Sequence, residues 1–158
     1  MQKWLILAFM GVFCSCIQTA TSKKETLPIT QGIRGKVEIR EGNFMPGPDR
    51  TNPKAIRAPQ GQPAIRELFI YERTKQSQVK ANGVFYADIQ TKLITTVKSK
   101  ADGTFQVSLK PGIYSLFSKE PGGLFANQMD GEGYIFPVEV KAGEVTEVEF
   151  IIDYNASY

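Results

Sequence analysis

Two turn dipeptides, set around a strictly alternating segment, constrain this chain more than anything else in it. Asp102-Gly103 precedes Thr104–Leu109 and Pro111-Gly112 follows it. Glycine supplies backbone conformations that Cβ sterics deny other residues, so both pairs break any regular element and reverse the chain. Between them Phe105, Val107 and Leu109 share one face, and Thr104, Gln106 and Ser108 share the other. That period belongs to a strand with one buried and one wet side. Ile113, Ser115 and Phe117 continue on one parity, with Tyr114 and Leu116 on the opposite one. Leu93–Lys119 therefore reads as three strands of an antiparallel meander.

The same pattern recurs along the chain. In Ile33–Glu41, Ile33, Gly35, Val37 and Ile39 alternate with Arg34, Lys36, Glu38 and Arg40. Arg66–Glu72 is almost continuously apolar, which suits a strand covered on both faces. Val84, Phe85 and Tyr86 fit a short edge strand or a cover over the sheet end. Tyr134–Lys141 has Pro137 inside it and so belongs at an edge or a bulge, because proline cannot donate to a ladder. Glu144–Asp153 closes the series, and no span has helical periodicity. Seven strands joined by Gly and Pro turns predict an all-β chain, a seven-stranded antiparallel β-sandwich. If every connection reverses direction, loops 42–65, 99–103 and 119–133 gather at one end, and 73–92, 111–112 and 142–143 at the other.

Composition narrows the chemistry. The 158 residues suit one domain with a core. Ten Phe, six Tyr and one Trp favour strands. The formal charge of +3 comes from scattered Lys and Arg, so no nucleic-acid partner is implied. There is no histidine, which removes His metal centres, Ser-His and Cys-His pairs and the commonest general base. No cofactor or metal is expected.

The amino-terminal stretch reads as a targeting element. Lys3 is followed by an apolar run from Trp4 to Phe13, too short for a membrane span of about 20 residues. The ending Val12-Phe13-Cys14-Ser15-Cys16 resembles the lipobox of bacterial lipoproteins. That resemblance implies cleavage before a lipid-bearing cysteine, Cys16, with Ser15 as the small residue at the cut; Cys14 is the alternative. Residues 1–15 would then be a lipoprotein signal peptide, 16–31 a polar tether from a lipid anchor in a membrane, and 32–158 the folded domain. The implied location is a bacterial cell envelope, on an outer membrane facing the periplasm or the cell surface.

Gly35–Val37 (Gly-Lys-Val), Asp102–Phe105 (Asp-Gly-Thr-Phe), Pro111–Tyr114 (Pro-Gly-Ile-Tyr) and Val138–Glu144 together resemble the pattern of carboxypeptidase regulatory-like domains. The resemblance covers about residues 32–153 and implies a transthyretin-like sandwich in which Phe105 anchors the core. Tyr114 should bury its ring and bond its hydroxyl to backbone, as in a tyrosine corner. Catalytic relatives of that sandwich rely on His, which this chain lacks.

Candidate functional residues fall in two long loops. Phe44–Ala64 carries five prolines and cannot be a helix or a central strand. From it Phe44, Met45, Asp49, Arg50 and Arg57 are expected to contact a partner, together with Leu124, Phe125 and Met129 from 119–133. The implied function is a non-catalytic, lipid-anchored binding module for an envelope protein or glycan. Two alternatives remain. Phe44, Met45, Leu124, Phe125 and Met129 would line an apolar mouth in a small-molecule carrier. Asp49, Asp130 or Glu132 would serve a carboxylate-dependent hydrolase, which needs one carboxylate of raised pKa in a cleft. Asp130 and Glu132 alone lack the ligand count that calcium wants.

Overall fold

The computed structural model describes residues 28–45, 47–48, 56–57 and 60–158. The expected signal peptide, Cys14, Cys16 and most of the expected tether lie outside the described residues, as do Asp49 and Arg50.

The domain is a two-sheet β-sandwich. Its strands are β1 (Gly32–Asn43), β2 (Gly47–Pro48), β3 (Ile56–Arg57), β4 (Gln62–Pro63), β5 (Glu67–Glu72), β6 (Lys80–Asn82) and β7 (Phe85–Ala87). The chain continues through β8 (Leu93–Lys98), β9 (Thr104–Ser108), β10 (Gly112–Glu120), β11 (Gly123–Phe125), β12 (Pro137–Val140) and β13 (Val145–Ser157). The seven expected strands correspond to β1, β5, β8, β9, β10, β12 and β13. One sheet sets β13 on one side of β1, and β9 and β4 along the other side. The second has the order β6-β7-β11-β10-β5-β8, with β12 on β10 beside β11. Among the described residues, β2 and β3 pair only with each other.

Two findings correct the sequence reading. β1 and β13 run parallel, Gly32 opposite Val145 and Ile39 opposite Ile152, so the sandwich is not antiparallel throughout. And Leu93–Lys119 is not a meander: β8 pairs with β5, β9 with β1, and β10 with β5, β11 and β12. The three strands therefore alternate between sheets, and each turn arches over the core instead of closing a hairpin. The local chemistry of the turns is as expected. Asp102 Oδ1 accepts from the Thr104 amide at 3.0 Å and from its hydroxyl at 2.7 Å, and Gly103 adopts φ +78°.

The core lies between the sheets. Ile33, Val37, Phe105, Phe150 and Ile152 from the first face Leu68, Ile70, Leu116, Phe125 and Val138 from the second. Fully burying a side chain of this size contributes roughly 1.5–3 kcal/mol. Phe105 is 2% exposed. Tyr114 is buried and its hydroxyl donates to the Lys110 carbonyl at 2.8 Å, the backbone bond the resemblance implied.

The second sheet is covered on its outer side too. Phe117 meets Tyr71 and Tyr86 edge-on at 5.7 and 5.6 Å. Segment 73–92 leaves β5, adds β6 and β7 to the far side of this sheet, and brings its two ends together against the outer face: the Thr74 amide donates to Ser115 Oγ at 3.0 Å and the Thr74 and Thr91 hydroxyls meet at 2.6 Å. That is why Tyr114–Ser118 are buried on both parities and Leu68–Tyr71 reads as an unbroken apolar run.

Candidate functional site

β1 runs the full length of the first sheet and defines two ends. Gly32 lies opposite Ser108, beside the turn into Gly112. Asn43 lies at the far end, opposite Ser157. Gly42, at φ +84°, lets the chain leave the sheet there. Asn43 Oδ1 accepts the Met45 amide at 2.8 Å, and the Phe44 amide donates to the Ser157 carbonyl at 2.8 Å. Phe44 is half-buried, its ring 6.3 Å from Tyr158, with the Arg40 guanidinium 5.8 Å from its centroid.

β4 returns along the same end, Gln62 opposite Ile39 and Pro63 opposite Glu38. Gly61 lies directly on the Glu38 carboxylate, where any Cβ would collide with it. These two segments enclose a groove of about 360 Å³ lined by Ile39, Glu41, Asn43, Phe44, Gln60 and Gln62. An aromatic ring, three side-chain amides and a carboxylate thus share one concave surface.

A buried ion pair braces the same end. The Glu120 side chain is 0% exposed, and Arg66 Nε donates to its two oxygens at 2.9 and 3.2 Å. The Tyr154 hydroxyl donates to Oε2 at 3.1 Å. Burial, then the Glu120 carboxylate, holds the Tyr154 phenol above its ordinary pKa, and Glu41 adds to the effect. Ser99 Oγ donates to Ala64 O at 2.7 Å and accepts the Arg66 amide at 2.7 Å, fixing the approach to β5.

The two long loops do not meet as expected. Residues 42–45 and 60–65, turn 99–103 and the Pro121-Gly122 turn share the Asn43 end. The rest of 119–133 runs away from it and closes a hairpin beside Arg73, which follows β5 at the opposite end. There Arg73 Nη2 reaches Asp130 Oδ2 and Glu132 Oε2, each at 3.2 Å. Its guanidinium lies 3.4 Å from the Tyr134 ring centroid, and Lys75 Nζ lies 4.8 Å from it. Asp130 Oδ1 accepts the Tyr134 and Glu132 amides at 2.8 and 3.0 Å. These bonds, the Tyr134 amide first, depress the Asp130 pKa. A depressed carboxylate on an arginine is the reverse of what a general acid needs.

The apolar mouth of a carrier is likewise not assembled. Phe44 and exposed Met45 stand at the Asn43 end. Phe125 is fully buried against Phe85, Tyr154 and Phe150. Leu124 packs at the other face of the second sheet opposite Tyr86, and exposed Met129 belongs to the distant hairpin. Of Arg57, only the backbone pairing with Gly47 is described. Glu41, Gln60 and Gln62, which line the groove, escape sequence reasoning because nothing distinguishes these exposed polar residues from any other solvated surface.

Comparison of the chain with family models, with curated proteins and with solved structures returned no match.

Proposed function

We propose that this protein is a non-catalytic binding module of a bacterial cell envelope, lipid-anchored through Cys16, that contacts an envelope glycan with the groove at the Asn43 end. The observation that carries this reading is the direction of β1. The amino-terminal segment joins the sandwich at Gly32, and the groove is lined from Ile39 onward, in the far half of the same strand. At about 3.3 Å per residue, β1 sets the groove roughly 23 Å (Ile39) to roughly 36 Å (Asn43) from Gly32. An anchor on the amino-terminal side then leaves the groove facing away from the membrane. Its lining suits a polyhydroxylated ligand: Gln60, Gln62 and Asn43 offer both donors and acceptors, Glu41 accepts, and Phe44 supplies an apolar face. The carboxypeptidase regulatory-like resemblance is compatible with such a role, since this fold does not itself prescribe an activity.

Two measurements test the reading. Fatty-acid labelling in a bacterial host is expected to mark the protein, to persist in Cys14→Ala and to vanish in Cys16→Ala. Titration with oligosaccharides released from the host envelope is expected to show binding that weakens about tenfold in Phe44→Ala, about 1.4 kcal/mol. A photo-crosslinker at Gln62 that captures one defined protein, with no oligosaccharide bound, would move the partner from glycan to protein. Failure of both would end the assignment of the groove.

A further inference from the structure

We propose that the edge of β13, unpaired among the described residues, accepts an extended basic peptide as an added strand, laid along β13 over the groove it shares with β12. This site is separate from the groove at the Asn43 end and does not depend on its assignment. β13 is 13 residues long and, among the described residues, pairs only with β1, as β12 pairs only with β10. The two sheets thus each present an open edge on the same side of the sandwich. One contact joins these edges directly, Thr146 Oγ1 donating to Glu139 O at 2.6 Å, and Asn127, from the segment between β11 and β12, donates to Asp153 Oδ1 at 2.8 Å. Alongside them lies a groove of about 550 Å³ that follows β13 from Val145 to Glu149.

The ladder fixes which peptide groups are free. The Gly32 amide donates to Glu144 O, and Gly32 lies opposite Val145 in a parallel pair. In that pattern alternate residues of β13, the even-numbered ones, direct their N–H and C=O to β1. Glu147 and Glu149 direct theirs outward, the arrangement that strand addition uses.

Charge selects the occupant. The groove lining holds four carboxylates, Glu139, Glu144, Glu147 and Glu149, and one cation, Lys141. Arg34 engages Glu147 at 3.4 Å from the β1 side. Glu139 stands on the β12 rim and Glu149 on the β13 rim, so a strand laid along β13 meets carboxylates on both sides. A second copy of this chain, paired edge to edge, would set Glu147 and Glu149 against their own counterparts. A strand with lysine or arginine at alternate positions meets the reverse.

The test uses the full chain in detergent and three labelled, blocked nonapeptides: alternating Lys-Val, alternating Glu-Val and alternating Lys-Pro. Lys-Pro keeps the charge but lacks half the amide donors and disfavours strand addition. Fluorescence anisotropy is expected to show Lys-Val binding at least tenfold tighter than either of the others. Glu149→Pro, which removes an outward N–H and leaves the β1 ladder intact, should weaken Lys-Val at least tenfold; so should Glu149→Lys. Thermal unfolding establishes that each variant is folded, and Glu149→Lys carries the test if the proline variant is not. Phe44→Ala should leave the affinity unchanged. No binding of Lys-Val, equal binding of Lys-Pro, or a dimer in light scattering that Glu149→Lys dissolves would each overturn the proposal.

Discussion

At the scale of single residues, the clearest lesson is how one carboxylate is committed. Asp130 accepts two amides with one oxygen and an arginine with the other, and all of these favour its charged form. Its pKa in the folded chain is depressed below the ordinary 3.8. A depressed carboxylate stabilises the fold at every pH above its unfolded pKa, and that contribution fades as the pH falls through the folded value. Asp130→Asn should therefore lower the melting temperature at pH 7. The gap from wild type should stay constant down to about pH 4 and narrow below it. Melting curves from pH 7 to pH 2.5 read this directly, and a gap that stays constant to pH 2.5 would remove Asp130 from the acid response. Sequence could place Asp130 and Glu132 in one turn but not Arg73 beside them. That arginine comes from a segment 57 residues away in the chain, and no local pattern encodes such a meeting.

At the scale of elements, alternation and turn chemistry revealed where the strands are but not which of them pair. Phe105 and Leu116 would share a face in a meander; in the sandwich they approach the core from opposite sheets. The pattern of apolar residues is identical in both cases, because a strand buries one face whichever sheet it joins. Asp102-Gly103 is equally indifferent, since its glycine permits a reversal without stating whether the flanking strands hydrogen-bond. Pro137 was legible for the opposite reason: proline lacks a donor, and it duly starts β12, which pairs on one side only. The parallel β1–β13 pair has a local signature too, though it emerges only with the partner in place. Gly35 lies so close to the Val148 carbonyl that a Cβ there would collide with it. Gly35→Ala should cost about 2 kcal/mol through overpacking, seen as a lower midpoint in urea with an unchanged slope. Gly131→Ala, where a Cβ meets open space, should lie within about 0.5 kcal/mol of wild type. Equal midpoints for the two variants would contradict close approach at Gly35.

At the scale of the whole molecule, two sheets must be held in register at an end where loops, not hairpins, cross the gap. Arg66 just before β5 and Glu120 at the end of β10 belong to the second sheet, while Tyr154 comes from β13 in the first. Their shared contacts at Glu120 join the sheets beside the proposed glycan groove. No reading of the sequence singled out this bridge, because its three members are separated by loops and each is an ordinary residue at a strand end. Only burial identifies it: a carboxylate fully removed from water is tolerable when its oxygens are occupied. Removing one partner of such a pair costs about 3–5 kcal/mol, whereas replacing the ensemble with apolar groups is often neutral. Arg66 is itself partly solvated, so Arg66→Met should fall at the low end, about 3 kcal/mol, and Arg66→Met with Glu120→Leu should recover most of it. Chemical denaturation of the two variants measures both terms. The penalty of the single variant then comes from the stranded Glu120 charge and not from lost packing at Arg66. A double variant as unstable as Arg66→Met alone would reverse that assignment, and with it the claim that Glu120 is the centre of the bridge.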